Sequence, residues 1–199
     1  MKDEALRKLE GKWGLSVVVV LLVGVISAAA GLIPFGSLLI GGPLTLGMAG
    51  HFLRVARSEA VDLNMVSLSI NDFKQFRNAL GAYLLMILIV ALGFVLLIIP
   101  GIMAAMALSQ TFNIMRDEPE LGAVDALKKS HAMMDGHKMD YFLFNLSFIG
   151  WALLCILTLG LGFLVLAPYI STSNAIFYNY ISGQQQQELK ELGSGVTPA

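Results

Sequence analysis

Three long stretches of this chain contain no Asp, Glu, Lys or Arg: Trp13 to Leu53, Asn78 to Met115 and Tyr141 to Gln187, of 41, 38 and 47 residues. A helix crossing ~30 Å of hydrocarbon needs roughly 20 residues at 1.5 Å each. Each stretch is therefore about twice one span, with a few residues left over for a turn. Helix-breaking residues lie near the middle of each: Gly31-Leu32-Ile33-Pro34-Phe35-Gly36, then Ile98-Ile99-Pro100-Gly101, then Leu159-Gly160-Leu161-Gly162. Pro lacks an N–H and Gly adopts turn dihedrals cheaply, so these are natural hairpin tips. The spacing predicts spans at 13–32 and 37–56, 78–97 and 100–116, and 141–159 and 162–182.

The fold class expected is all-α: a polytopic membrane helical bundle, six transmembrane helices as three hairpins with short cytoplasmic amphipathic helices. A single membrane domain over 1–182 is followed by a flexible cytoplasmic tail, 183–199, Gln-rich and then Gly-Ser-Gly. Composition agrees, with 56% hydrophobic and 14% charged residues, where a soluble domain carries about a quarter charged. Disorder, collagen and coiled coil are excluded. Thirteen Lys+Arg against 14 Asp+Glu leave a net charge of −1, so no basic excess exists to neutralise the phosphates of a nucleic acid. The single cysteine, Cys155, lies in an apolar run and has no partner for an internal disulfide.

The charges also set an orientation. Lys2, Arg7, Lys8 and Lys12 precede the first span; Arg54, Arg57, Lys74 and Arg77 surround the link between the first two hairpins; Arg116, Lys128, Lys129 and Lys138 surround the next. Lys190 lies in the tail, and the hairpin tips carry none. The positive-inside rule places this side, with both termini, in the cytoplasm. The early basic residues, the Leu15–Ile26 run and Ala28-Ala29-Ala30 imitate a cleavable signal. Asp3, Glu4 and Glu10, and the apolar run resuming after Gly31, argue against cleavage.

Each hairpin is preceded by a short charged segment of helical period. Leu6, Leu9 and Trp13 form the first stripe; Phe73, Phe76 and Leu80 the second, with Asn71 and Asp72 as helix-start residues; Leu121, Val124, Leu127, His131 and Met134 the third. Such helices suit the headgroup plane or pack against the end of the bundle. The second helix of each hairpin has Pro early (Pro43, Pro100, Pro168) and aromatics late (Phe52, Phe112, and Phe177 with Tyr178 and Tyr180). Gly24/Ala28 and Gly47/Gly50 are spaced for close helix packing. The pattern suggests three quasi-equivalent hairpins.

With those landmarks placed, the chain resembles a family of bacterial integral membrane proteins, domain of unknown function 975. The resemblance is carried by Leu9-Glu10-Gly11-Lys12-Trp13-Gly14, Gly41-Gly42-Pro43-Leu44-Thr45-Leu46-Gly47, Ala79-Leu80-Gly81-Ala82-Tyr83-Leu84-Leu85 and Leu97-Ile98-Ile99-Pro100-Gly101-Ile102. Ala126-Leu127-Lys128-Lys129-Ser130, Leu146-Ser147-Phe148-Ile149-Gly150-Trp151 and Pro168-Tyr169 complete it, over about 10–182. It implies a multi-span protein of the bacterial cytoplasmic membrane with no established reaction, so no catalytic residue is carried over.

No Asp, Glu, Lys or Arg falls in the hydrocarbon part of any expected span, which removes the usual pointer to proton-coupled transport. His51 reads as an interfacial histidine; a hydrolase would need Ser109 or Ser173 beside it at the same depth. His131, His137, Asp135 and Asp140 have the chemistry of a divalent-metal site, but Asp135-Gly136 reads more simply as a turn. The polar residues Ser109, Gln110, Thr111 and Asn113, Asn145 and Ser147, and Ser171, Thr172, Ser173 and Asn174 lie inside spans. In hydrocarbon the ordinary outcome is interhelical hydrogen bonds of ~1 kcal/mol each. A polar cavity lined by Ser109, Gln110, Asn113, Asn145, Thr172 and Asn174 is the functional alternative. The sequence thus points to a non-enzymatic scaffold, partner subunit or regulator, without cofactor, whose partners are the bilayer and a membrane protein or second copy. The alternative is a small permease or channel for a neutral or amphipathic solute.

Overall fold

Long apolar runs without charge can only satisfy their backbone groups internally, and they do so as helices. A computed structural model describes residues 2–32, 36–61, 72–158, 160 and 162–183. Among these the helices are α1 Lys2–Leu9, α2 Trp13–Gly31, α3 Gly36–Ala56, α4 Phe73–Leu96, α5 Ile98–Ala107, α6 Thr111–Asp117, α7 Ala123–Met133, α8 Lys138–Leu146, α9 Ile149–Leu157 and α10 Phe163–Ile181. No strand occurs among the described residues. Asn71, the tip residues Ile33, Pro34, Phe35, Leu159 and Leu161, and the expected tail beyond Gly183 lie outside them.

Among the described residues, five segments are long and apolar enough to cross a membrane: Trp13–Gly31, Gly36–Ala56, Phe73–Val95, Ile98–Asp117 and Lys138–Leu157. The sixth expected span, α10, has 19 residues but is diluted by Ser171, Thr172, Ser173, Asn174 and Asn179 and is not one of them. Its place in the bundle supplies the reason. Much of α10 is buried, including Leu166, Thr172, Ser173, Ile176 and Phe177, against α1, α2, α3 and α9. A helix sheltered by protein need not be apolar all round.

The same division runs through the other hairpins. The windows in Gly36–Ala56 and Ile98–Asp117 are 56% and 44% buried, against 22%, 11% and 11% for Trp13–Gly31, Phe73–Val95 and Lys138–Leu157. The second helix of each hairpin is therefore an inner helix and the first an outer one. Helix α3 is the hub, packed against α1, α2, α4, α6 and α10. Of the aromatics expected to close the second helices, Phe52, Phe112 and Tyr178 meet in one cluster, whereas Phe177 packs against Tyr141 and Phe144 and Tyr180 is exposed. Outer helices expose Val25, Leu88, Leu92, Val95, Trp151 and Ile156, an apolar belt suited to lipid.

Several boundaries differ from the sequence expectation. The charged segment before the second hairpin is the first turn of α4 itself, because nothing between Phe73 and Leu96 breaks the helix. The Asp72 carboxylate caps it, accepting from the Lys74 N–H at 3.0 Å. The turn into α5 is Leu97 alone, in extended conformation. Pro100 sits in the first turn of α5, where its missing N–H leaves no bond unmade. The fourth and fifth spans are each interrupted, at 108–110 and at 147–148. At the third tip Gly160 takes a φ of +87°, which side-chain-bearing residues resist.

The short helices pack on the bundle. α1 lies on α10 and α3 and α7 on α6, α4 and α5. Their buried faces differ from the expected stripes by about one residue. Ala5 and Leu9 are buried while Leu6 is exposed, and Ala126, Leu127, Ser130 and Met134 are buried while Val124 and His131 are exposed. Small residues such as Ala5, Ala126 and Ser130 let a helix approach closely, whereas a count of large apolar residues overlooks them.

Close approach is sharpest between α3 and α4. A Cβ on Gly42 would overlap the Ala79 carbonyl, and one on Gly41 would come 2.8 Å from the Tyr83 ring. Gly50 lies beneath the Arg116 side chain, whereas Gly24 faces open space, contrary to its expected packing role. Gly42→Ala should therefore destabilise the protein by about 1–3 kcal/mol through overpacking. Gly24→Ala should leave stability unchanged or raise it by up to ~1 kcal/mol. Thermal unfolding of the detergent-solubilised variants reads both.

Candidate functional site

Polar groups gather at three places on the inner helices. The first lies at the charged end and begins with a helix terminus. α3 stops at Ala56, and Ser58 then takes a φ of +61°. The Glu59 N–H donates to the Arg54 carbonyl at 2.9 Å and the Ser58 N–H to that of Val55 at 3.1 Å, the paired bonds of a Schellman cap. This cap reverses the chain at Arg57. The guanidinium donates from both terminal nitrogens to the two Asp117 carboxylate oxygens, at 2.8 and 2.7 Å, and from Nε to the Asn179 side-chain oxygen at 3.2 Å. The Tyr178 hydroxyl donates to the same carboxylate at 2.9 Å.

Arg57 follows the first hairpin, Asp117 ends the second, and Tyr178 and Asn179 belong to the third. One network thus ties all three. The planar, two-pronged match of guanidinium to carboxylate makes it directional. The hydrogen bond to Asp117 holds the Arg57 proton more tightly than usual, against the opposing effect of burial. Around this latch Lys8 donates to the Ser58 hydroxyl at 2.9 Å and Lys12 to the Glu59 carbonyl at 2.6 Å. Burial, then the neighbouring Lys8, pushes the Lys12 ammonium below its ordinary value, with Glu59 acting the other way.

The second place is the break between α5 and α6, whose residues Leu108, Ser109 and Gln110 leave the helix. Irregular backbone at membrane depth needs partners from the protein. Ser130, fully buried on α7, donates to the Ala107 carbonyl at 2.9 Å and accepts from the Gln110 N–H at 3.2 Å. The fully buried Gln110 donates from Nε2 to Ser109 at 3.2 Å and accepts at Oε1 from Asn113 at 2.8 Å. Thr111 donates to the Leu108 carbonyl at 2.7 Å. Of the expected cavity residues, Ser109, Gln110 and Asn113 therefore come together, bonded to one another. Asn145 donates to the Tyr141 carbonyl of its own helix at 2.9 Å, and the Tyr141 hydroxyl hydrogen-bonds with both Asn145 and Ser109, which ties it to the same group.

The third place joins α2 to α3. His51 on α3 is fully buried, with Nε2 3.2 Å from the Ser16 hydroxyl of α2. Neither Ser109 nor Ser173 is the serine it meets. Among the described residues no hydrogen-bond partner reaches His51 Nδ1, the position that a carboxylate holds in a Ser-His-Asp triad. On α10 the Thr172 and Ser173 hydroxyls and the Asn174 side-chain oxygen are likewise buried, without partners among the described residues. α10 packs on both α2 and α3.

Among the described residues no three His, Cys, Asp or Glu side chains converge on a metal position. Near the expected cluster, His137 and Asp140 lie 3.9 Å apart and Asp135 is drawn to Lys138 at 3.2 Å. Gly136 has a φ of +82°, as the turn reading expects. The sequence reading missed Arg57 with Asp117, Ser130, and Ser16.

These features define the class: an all-helical bundle whose apolar outer helices enclose polar inner ones, built to the dimensions of a membrane. Residues 86–185 match the family described as Protein of unknown function (DUF975). The match covers just over half of the 199 residues, and the chain belongs to that family. It takes in the helix break, Ser130, Asp117, Tyr178 and Asn179, while the first-hairpin motifs and Arg57 precede it. No curated protein and no solved structure matches the chain.

Ser130→Ala should lower stability by about 1–3 kcal/mol, since it strips two buried backbone groups of their partner. In a double-mutant cycle, Arg57→Ala and Asp117→Ala should couple by about 1–3 kcal/mol, the range for charged hydrogen bonds at a partly exposed pair. Additive losses in thermal unfolding would show that the latch carries no specific energy.

Proposed function

We propose that this protein is a non-enzymatic scaffold, partner subunit or regulator of the bacterial cytoplasmic membrane, a multi-pass protein with both termini inside. The observation that carries this reading is the use made of the polar side chains. Ser109, Gln110, Thr111, Asn113 and Ser130 bond to each other and to the broken backbone, and Arg57, Asp117, Tyr178 and Asn179 bond across hairpins. Groups committed in this way hold a shape. The orientation rests on the positive-inside distribution, and the bacterial membrane on the family resemblance. Its partners are the bilayer together with a membrane protein or a second copy, without cofactor and without nucleic acid.

A second reading, a small permease for a neutral or amphipathic solute, is favoured by one feature. Thr172, Ser173 and Asn174 present buried polar atoms with no partner among the described residues, as groups facing a solute path would. The readings separate in proteoliposomes. The scaffold reading expects no flux of glycerol, urea or other small neutral solutes, and expects Thr172→Val to preserve or raise thermal stability. Flux in the wild type that Thr172→Val abolishes would replace it with the permease. Orientation has its own measurement: Ser37→Cys in a Cys155→Ala background should label from outside intact cells, and labelling only after permeabilisation would reverse the topology.

A further inference from the structure

A groove of about 670 Å³ runs between α4, α5, α7 and α8. Pro100, Met103, Ala104 and Ala107 line it from one face of α5, and Leu85 and Ile89 face them from α4. From Pro100 to Ala107 this wall extends about 10 Å at 1.5 Å per residue. Ile89 and Met103 are also exposed at the bundle surface, so the groove opens towards lipid.

Its end is different. Lys128 and His131 from α7 and Lys138 from α8 line the groove where it reaches the charged end of the bundle, and no carboxylate among the described residues lines it. Lys129, next along α7, is committed to Glu118, whereas Lys128 makes no ion pair among the described residues. Lys138 is held 3.2 Å from Asp135. That carboxylate is 77% exposed, and an exposed pair of this kind is weak enough for a second anion to compete.

We infer that this groove binds an anionic phospholipid, with the headgroup phosphate on Lys128 and Lys138 beside His131 and an acyl chain along Met103 and Pro100. Charge complementarity selects the headgroup, since basic pockets between membrane helices recognise anionic lipids. The apolar wall selects a lipid over a free phosphate, which has no use for it. This site rests on the bundle being embedded in a membrane, and is independent of whether the protein acts as scaffold or permease.

The test is native mass spectrometry of the full-length protein in mild detergent, titrated with phosphatidylglycerol and with phosphatidylethanolamine of matched chains. Wild type should retain phosphatidylglycerol at least fivefold better, a factor of roughly five being the effect of one lysine near a lipid headgroup. Lys128→Gln with Lys138→Gln should bring the two lipids close to parity. Lys129→Gln should keep the preference, and Ala104→Phe, which fills the groove, should weaken phosphatidylglycerol retention with all charges in place. Parity in the wild type, or an unchanged preference in the double variant, would overturn the site. So would full competition by inorganic phosphate combined with an inert Ala104→Phe, the signature of an anion site without a lipid chain. Where the double variant fails to fold, phosphatidylglycerol carrying a photoreactive acyl chain should label α4 or α5 in wild type, and labelling confined to other helices counts against the groove. Release of the protein from membranes by alkaline carbonate would instead defeat the membrane reading itself, an outcome distinct from a membrane-held protein without lipid preference.

Discussion

Hydrocarbon offers a backbone no hydrogen-bond partner, and each departure from helix inside this bundle needs one supplied by the protein itself. The interruption between α5 and α6 shows the constraint in its simplest form. Three residues of irregular backbone expose a carbonyl at Ala107 and an N–H at Gln110, and one hydroxyl, Ser130, serves both. To place that hydroxyl, α7 must fold back against α5 and α6. A helix that could have floated in the headgroup plane is thereby made part of the core. The same need explains why Asn145, Ser147 and Thr158 bond to carbonyls of their own helices: a polar side chain in a lipid-facing helix has its own backbone nearest to hand.

Lipid also removes the force that ordinarily assembles helices, because an apolar side chain gains little by leaving hydrocarbon for another helix. Assembly must come from close packing and from specific polar contacts. Gly41 and Gly42 supply the first, letting α3 meet Tyr83 and Ala79 of α4. Arg57 supplies the second. Its bonds join residues 60 and 122 positions away in the chain, so a single side chain fixes the mutual position of all three hairpins. The latch lies at the charged end, where water is accessible to Arg57 and Asp117, with side chains 26% and 15% exposed. That placement avoids the large desolvation cost a buried ion pair would carry at mid-membrane.

What the sequence displayed was whatever depends on local composition. Charge-free lengths revealed the spans, and Gly160 and Gly136 marked turns that the backbone confirms with positive φ. Length alone could not say that α10 is shielded by its neighbours, and so less apolar than the other five. Nor could it place the helix breaks, since Leu108-Ser109-Gln110 and Ser147-Phe148 contain neither Gly nor Pro. The candidate site was legible in part. Ser109, Gln110 and Asn113 were recognisable as polar residues in an apolar run, and they do come together. Their indispensable partner Ser130 lay in a segment whose stripe was drawn through large apolar residues, which hid a small buried hydroxyl. The Arg57–Asp117 pair joins two residues that each looked like an ordinary helix-end charge, and no local pattern carries a contact across 60 positions.

The distribution of satisfied and unsatisfied groups bears most directly on function. Around the break in the second hairpin the polar atoms are consumed, although broken helices elsewhere often mark solute sites. On the third hairpin, Thr172, Ser173 and Asn174 keep buried atoms without partners among the described residues, as does His51 on α3 against which α10 packs. Leaving a polar group unsatisfied in a buried place costs about 1–3 kcal/mol, so four such atoms on two packed helices represent a sustained cost. A water shared between neighbouring groups would remove much of it, given two to four polar partners. Among the described residues, spare polar capacity is therefore found on α10 and at His51, whereas the polar atoms at the helix break are bonded to one another and to the backbone. On the permease reading the solute path would follow α10 rather than the interrupted helix, whose polar atoms already serve the fold.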